Sequence, residues 1–396
     1  MKPKPVMPTL LIISPAPVME TPAGEVILDV GFVEGMKLHC QLWPGRVHCL
    51  MRRGAGAIPR GMRFSRRQLA FNLIVQDQAD AIPESLLDEA SLIYCAADDM
   101  RYLDMPERLR GRLAQLVYTI ERPLSGRLRQ AAFDSRRGAL SKLRGMQWAL
   151  GREGALRRAL AGAEGLHCNG PLAADAYARV NPNALGYFDN RMRLPMLARG
   201  PDLAARAERL RAGAPLSLAW YGPLEPEAGV QDLLAVAQAL AAAGMDFRLQ
   251  LFGTGSLEQR LRDGIASMGL QDRVAMSDAP GFDTALVPQL RRSADLFLAP
   301  MRLADPVSSY VEAMGCGLPV LGYGNPLWRR VLAQSGGGWQ VPARARAMAR
   351  QILRLDKQRE AIIEASARAL DYARANTFET VFSRRMAHLR QIAGLD

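Results

Sequence analysis

Short apolar runs bounded by turn residues alternate along this chain with longer stretches whose apolar positions recur every three or four residues. The first pattern belongs to buried strands and the second to amphipathic helices, so the alternation predicts an α/β protein built on parallel sheets. In the first half the strand-like runs are 9–14, 46–51, 71–76, 92–95, 115–120, 165–168 and 183–188, which predict one doubly wound, Rossmann-like domain. Around 193–215 the pattern becomes helical and charged and closes on Ala212, Gly213, Ala214 and Pro215, which reads as a linker. A second series follows, with strands at 216–221, 247–252, 273–277, 295–299 and 318–322 and helices at 229–243, 256–268, 282–292 and 308–315. After 339–342 the remainder reads as helix. The organisation expected is an acceptor-side Rossmann-like domain over 1–200, a nucleotide-side Rossmann-like domain over 201–375, and a C-terminal helix over 376–396 packing back on the first.

Composition sharpens this picture. A chain of 396 residues, 49% of them apolar, exceeds one compact core, and two domains imply a cleft. The apolar run Leu10, Leu11, Ile12, Ile13 is only of strand length and ends at Pro15 without a small-residue cleavage site, so it reads as a first buried strand rather than a leader. No stretch reaches the roughly 20 apolar residues that cross a bilayer, so any membrane contact is expected to be peripheral. The five cysteines, Cys40, Cys49, Cys95, Cys168 and Cys316, are scattered and form no C-x-x-C pair, which predicts reduced thiols, no metal site and a cytoplasmic location. A net charge of +12 calls for an anionic partner.

Three elements carry a family resemblance: Phe252-Gly253-Thr254-Gly255 after a strand, the strand Asp295-Leu296-Phe297-Leu298-Ala299 with Pro300, and Tyr310-Val311-Glu312-Ala313-Met314-Gly315-Cys316-Gly317-Leu318-Pro319-Val320. Together they resemble the donor domain of the retaining, glycogen-synthase-like GT-B glycosyltransferases, the glycosyl transferase group 1 superfamily. The last element is the specific one. The resemblance implies an α/β GT-B fold, two doubly wound domains facing a cleft, and sugar transfer from a nucleoside diphosphate sugar with retention, without a metal or other cofactor. It makes Glu312 the carboxylate that accepts hydrogen bonds from the donor ribose, at a helix start where the dipole also favours a diphosphate. Glycines at strand ends, Gly222, Gly253 and Gly255, allow backbone to approach a nucleotide, although a plain strand-to-helix turn uses the same residues.

The chain departs from that family at three places. The glutamate eight residues before the ribose glutamate is Ala304, with Asp305 beside it as either a substitute or an ordinary turn residue before Pro306. The Arg and Lys of the first loop are missing from Gly222-Pro223-Leu224-Glu225-Pro226-Glu227-Ala228-Gly229, where two glutamates stand instead. A leaving diphosphate needs a positioned cation or amide dipoles. Arg302, with Ser308 and Ser309 at the next helix start, is the candidate replacement, set against the reading of an ordinary surface arginine.

In the first half no histidine follows a strand where the family places one. His48 and His167 fall within strands and His388 on the last helix, all read as structural, and His39 is the fourth. Glu121, ending the strand 115–120, is the candidate orienting acid or base, with a salt bridge to Arg122 as the alternative. Glu34 and Gly35, in a turn opening a helix at a strand end, are acceptor-site candidates. Residues 101–158 hold fourteen Arg and Lys against five acids, interleaved with Leu124, Leu128, Phe133, Leu140, Leu143, Met146 and Trp148. That mixture suits a helix on an anionic membrane surface or a solvated face, and it lacks the motifs of a nucleic-acid binder. The function expected is transfer to a lipid-linked or growing saccharide acceptor. The alternatives are a non-catalytic homologue acting as a binding or regulatory partner and, less well matched by the cleft residues, a nucleotide-sugar epimerase.

Overall fold

The computed structural model describes residues 7–58, 60–133, 138–278, 280–302 and 308–395. The chain divides into one unit made of 1–187 with 381–396 and a second, continuous unit over 188–380.

The strands of the first unit are β1 (Thr9–Glu20), β2 (Val26–Asp29), β3 (Arg46–Arg53), β4 (Gly61–Phe64), β5 (Asn72–Gln76), β6 (Leu92–Ala96), β7 (Gln115–Ile120), β8 (Gly165–Asn169) and β9 (Ala184–Tyr187). Its main sheet is parallel, in the order β5-β3-β1-β6-β7-β8-β9. Strand β6 is buried at every position, as a central parallel strand with both faces covered must be. Leu11, Ile13, Leu50, Ile93, Cys95, Leu116, Tyr118 and Ile120 belong to one core cluster. The doubly wound parallel sheet carries an antiparallel extension. Strand β1 runs on past 14, its register against β3 shifts between Ile13 and Pro17, and its far end pairs antiparallel with β2, which pairs antiparallel with β4. The cause lies in Pro15 and Pro17, which have no amide to donate to a regular ladder.

The last helix, Phe378–Ala393, completes this unit from Val381 onward. Arg385 donates to the Tyr94 hydroxyl at 2.7 Å and lies 4.2 Å over the Tyr187 ring. His167 bonds the Tyr94 hydroxyl through one ring nitrogen and His388 through the other, both at 3.0 Å, and His388 reaches Asn183 at 2.7 Å. Burial pushes His167 well below the usual imidazole range and holds His39 down to about 3, with the Arg385 charge adding to both.

The second unit is a six-stranded parallel sheet, β10 (Leu216–Tyr221), β11 (Phe247–Phe252), β12 (Val274–Ser277), β13 (Leu296–Ala299), β14 (Val320–Tyr323) and β15 (Gly338–Val341), in the order β12-β11-β10-β13-β14-β15. The order reverses direction between β10 and β13, so the carboxyl ends of those strands flank a topological switch point, where open α/β sheets bind ligands. Strand β15 was not expected from the pattern, since the short run Gly338–Val341 has only one fully buried position. The stretch read as a linker is also corrected. Its helix, Gly200–Arg211, buries Arg206 to 1% exposure, and that guanidinium donates to the carbonyls of Ala294, Gly317, Cys316 and Arg291. A cation that satisfies four carbonyls from inside a helix belongs to a core rather than to a tether.

Candidate functional site

The carboxyl ends of β10, β11 and β13 and the helix Ser309–Gly315 hold most of the residues singled out in the sequence. Every residue of that seven-residue helix is buried, and Ser308 precedes it without capping it through its side chain. Glu312 is 1% exposed. Its Oε1 accepts from the Arg191 amide at 3.2 Å and from Arg191 Nε at 2.9 Å, while Oε2 accepts from Arg191 Nη2 and from the Tyr221 hydroxyl, each at 2.9 Å. A carboxylate offers about four acceptor positions. All are taken by the protein itself. Burial, with the Glu312 charge beside it, pushes the Tyr221 phenol well up, so it remains a donor. The Arg191 guanidinium also lies 3.9 Å over the ring of Phe282, which follows the loop after β12. The Tyr221 hydroxyl is 3.4 Å from the Ser309 carbonyl, so Glu312, Ser309, Tyr221 and Arg191 form one cluster.

The strand-end glycines lie in loops that meet, for a reason nearer home than a ligand. Gly253 has φ +155°, and a Cβ there would lie 1.9 Å from the Gly222 carbonyl; one on Gly255 would lie 2.5 Å from the Leu224 carbonyl. The loops after β10 and β11 are pressed against each other, and only glycine lets them close. Two of the glycine amides are already committed: Gly222 N donates to the Phe252 carbonyl and Gly253 N to the Ser277 carbonyl, both at 3.0 Å. Glu225, one of the two glutamates in the loop after β10, accepts from the amide and hydroxyl of Ser256, just before the helix Glu258–Ser267. A carboxylate thus sits where a helix start would otherwise attract an external anion.

Arg302 is half exposed and pairs with Asp232, whose Oδ2 also accepts from the Tyr323 hydroxyl at 2.8 Å. The guanidinium lies 5.4 Å over the Tyr323 ring. With Arg329, Asn325 and Gln340 it lines a cavity of about 440 Å³ at the carboxyl ends of β14 and β15. Asp305 lies outside the described residues, as does Ala304.

In the first unit Glu121 follows β7 directly, and its amide donates to Asp98 Oδ2 at 2.7 Å; the Arg122 amide reaches Asp98 Oδ1 at 3.3 Å. Burial pushes the Asp98 carboxyl up, against these two amides, which favour its charged form. Asp98 was not singled out in the sequence. The signal was there in Asp98-Asp99 just beyond the apolar run of β6. Glu34 and Gly35 are not in a turn: the helix begins at Val30 and runs to Leu42, with Asp29 capping it through the Phe32 amide. The turn reading failed because Gly31 and Gly35 are tolerated inside a helix whose cap is the preceding aspartate. Glu34 bonds Lys37 at 2.8 Å one turn on, and the Gly35 carbonyl bonds His39 Nδ1 at 3.0 Å.

Comparison with known proteins joins these details. Residues 215–358 match the family model described as glycosyl transferases group 1. A 2-deoxystreptamine N-acetyl-D-glucosaminyltransferase of Streptomyces fradiae is 31% identical over 116 residues, 28% of this chain and 26% of that protein. A putative colanic acid biosynthesis glycosyltransferase of Salmonella typhimurium is 30% identical over 138 residues, 33% of each chain. The match thus spans a third or less of the curated relatives. Among solved structures, the Anabaena HepE protein in complex with UDP superposes with a TM-score of 0.63 at 15% identity, covering 96% of this chain and 98% of that one. Sucrose-phosphate synthase of Thermosynechococcus elongatus gives 0.63 at 16% identity, covering 98% and 100%. Among the described residues no helix is long and apolar enough to cross a membrane.

Proposed function

From a chain of GT-B fold whose residues 215–358 make a group 1 glycosyl transferase domain, we propose a glycosyltransferase that moves a sugar from a nucleoside diphosphate sugar to a lipid-linked or growing saccharide acceptor. The observation that carries the reading is the matched domain itself, with a buried glutamate, Glu312, at the switch-point end of its sheet. In this proposal Glu312 binds the donor ribose and the backbone around Gly222, Gly253 and Gly255 shapes the nucleotide crevice. The Ser308 and Ser309 end of the short helix and the Arg302 guanidinium face the diphosphate, the last once released from Asp232. On the acceptor side Glu121 orients or deprotonates the acceptor hydroxyl, and Asp98 holds its backbone in place. Retention of configuration and independence of a metal belong to the same proposal, and they rest on the likeness of the motif series. The relative assigned to colanic acid biosynthesis supports a saccharide acceptor, and the 2-deoxystreptamine N-acetyl-D-glucosaminyltransferase supports transfer to a hydroxyl.

The test is a thermal-shift panel of nucleoside diphosphates and their sugars. A ligand at a hundred times its dissociation constant stabilises the native state by about 2.7 kcal/mol. One member of the panel should raise the melting temperature, Glu312→Ala should abolish that rise, and a panel without any rise sinks the reading. A second reading, a non-catalytic homologue, is favoured by the internal occupation of the site: Glu225 at Ser256, Asp232 on Arg302 and four donors on Glu312. Nucleotide binding without release of nucleoside diphosphate in the presence of saccharide acceptors would select it.

A further inference from the structure

The basic segment 101–158 resolves into two parts that differ in what their cations do. The first part spends them inside the unit. Arg101 pairs with Asp99, Arg108 and Arg112 with Glu84, Arg112 also with Asp88, and Arg127 with Glu153. The second part is the helix Ala139–Ala161. Its buried stripe is Ala149, Glu153, Leu156 and Leu160, and its single acid, Glu153, is held by Arg127 and Arg157. Among the described residues Lys142, Arg144, Arg152 and Arg158 enter no ion pair.

The same helix exposes its apolar residues. Leu140 is 62% exposed, Leu143 52%, Trp148 54% and Leu150 53%, four of the nine large apolar side chains exposed among the described residues. Leu140, Leu143 and Leu150 stand at i, i+3 and i+10, which places them on one stripe over about 15 Å of helix, turned away from the buried stripe. Arg144, at i+4 from Leu140, lies beside that stripe with Arg158 in line with Leu140 five turns on, and Trp148, at i+4 from Arg144, stands one step further round. A monomer in water gains nothing by this exposure, and cations beside it name the sign of what covers it.

We propose that the face of helix 139–161 bearing Leu140, Leu143 and Leu150, with Trp148 at its edge, docks on an anionic lipid bilayer, with Arg144 and Arg158 against the headgroups. Aliphatic side chains and a tryptophan enter the boundary between headgroup and acyl chain, while the cations stay in the negative surface potential. The proposal stands apart from the sugar-transfer reading, since vesicle binding needs no donor.

Flotation with phosphatidylcholine vesicles, and with vesicles containing an equal share of phosphatidylglycerol, tests it on the full chain. Binding is expected only with phosphatidylglycerol and is expected to weaken as salt is raised. Leu140→Glu with Leu143→Glu should lower partitioning at least about tenfold, and replacing Arg144 and Arg158 by Gln about fivefold for each cation removed. These side chains are largely on the surface, so each variant should keep the wild-type melting temperature. Trp43, Trp220 and Trp328 are buried and Trp339 is half-buried, so a blue shift of tryptophan emission on vesicle addition is assigned to Trp148 by Trp148→Phe, which should remove it. Absence of binding to phosphatidylglycerol vesicles, or binding that the Leu140→Glu, Leu143→Glu pair leaves unchanged, overturns the proposal. So does sedimentation as a dimer that the same pair dissociates, which would give this face to a second copy of the chain.

Discussion

Glu312 can accept ribose hydroxyls only by giving up hydrogen bonds it already has, because Arg191 takes three of its acceptor positions and Tyr221 the fourth. Under the proposed ribose role, the donor therefore competes with Arg191. Arg191 is half exposed but Glu312 is buried, so removing the guanidinium leaves a buried carboxylate short of donors, which is destabilising. Arg191→Gln should accordingly lower the melting temperature. It should also enlarge the stabilisation by nucleoside diphosphate, since the ligand then supplies the missing donors. Equal ligand-induced shifts in variant and wild type would show that the pair does not stand in the donor's way. Sequence reasoning found Glu312 through its motif but had no access to Arg191, which lies 121 positions away and precedes no recognisable pattern. The same holds for Glu225: its place in the chain puts it in the loop where the family keeps cations, and only the fold directs it to Ser256.

At the scale of elements, the last helix is tied to the first unit by a network that works while its histidines are neutral. His39 packs 4.6 Å from Phe382, and His167 links Tyr94 to His388. Both imidazoles lie below their unfolded value of about 6.5, so below that pH the unfolded chain takes up protons that the folded chain refuses. Their contribution is complete above pH 6.5 and is lost as pH falls toward about 3 for His39. Urea unfolding at descending pH should show this loss. His39→Leu should flatten it by up to about 1.4 kcal/mol per pH unit, and an unchanged slope would assign the acid sensitivity to other groups. Strand and helix positions were legible because each element carries its own period: 115–120, 216–221 and 247–252 match β7, β10 and β11 at both ends. Strands β13 and β14, four residues each and buried throughout, were legible, whereas β4 and β15 were missed because at most one of their positions is fully buried, and β2 was missed with them.

For the whole molecule, the second unit is one uninterrupted stretch whose sheet is complete from β10 to β15, whereas the first needs 381–396 as well as 1–187. A fragment of residues 188–380 should therefore unfold in one cooperative transition, and under the proposed function it should keep the nucleotide-induced thermal shift. A fragment that folds without the shift places part of the donor site outside it; one that melts without cooperativity refutes the division. Truncation after 380 removes Arg385 and His388 from the first unit and should destabilise that unit selectively.

By itself the sequence determined the α/β alternation, two sheets in series, and the motif that singles out Glu312, because periodicity and short motifs are written in neighbouring residues. Tertiary structure alone decided which partners those residues have. It set Arg191 on Glu312, drew Asp98 under the amide of Glu121, and packed the helix Gly200–Arg211 into a core instead of leaving it as a linker. The reason is physical: a hydrogen bond or ion pair between distant residues depends on how buried surfaces settle against one another, and a linear pattern of apolar and polar positions leaves that choice open.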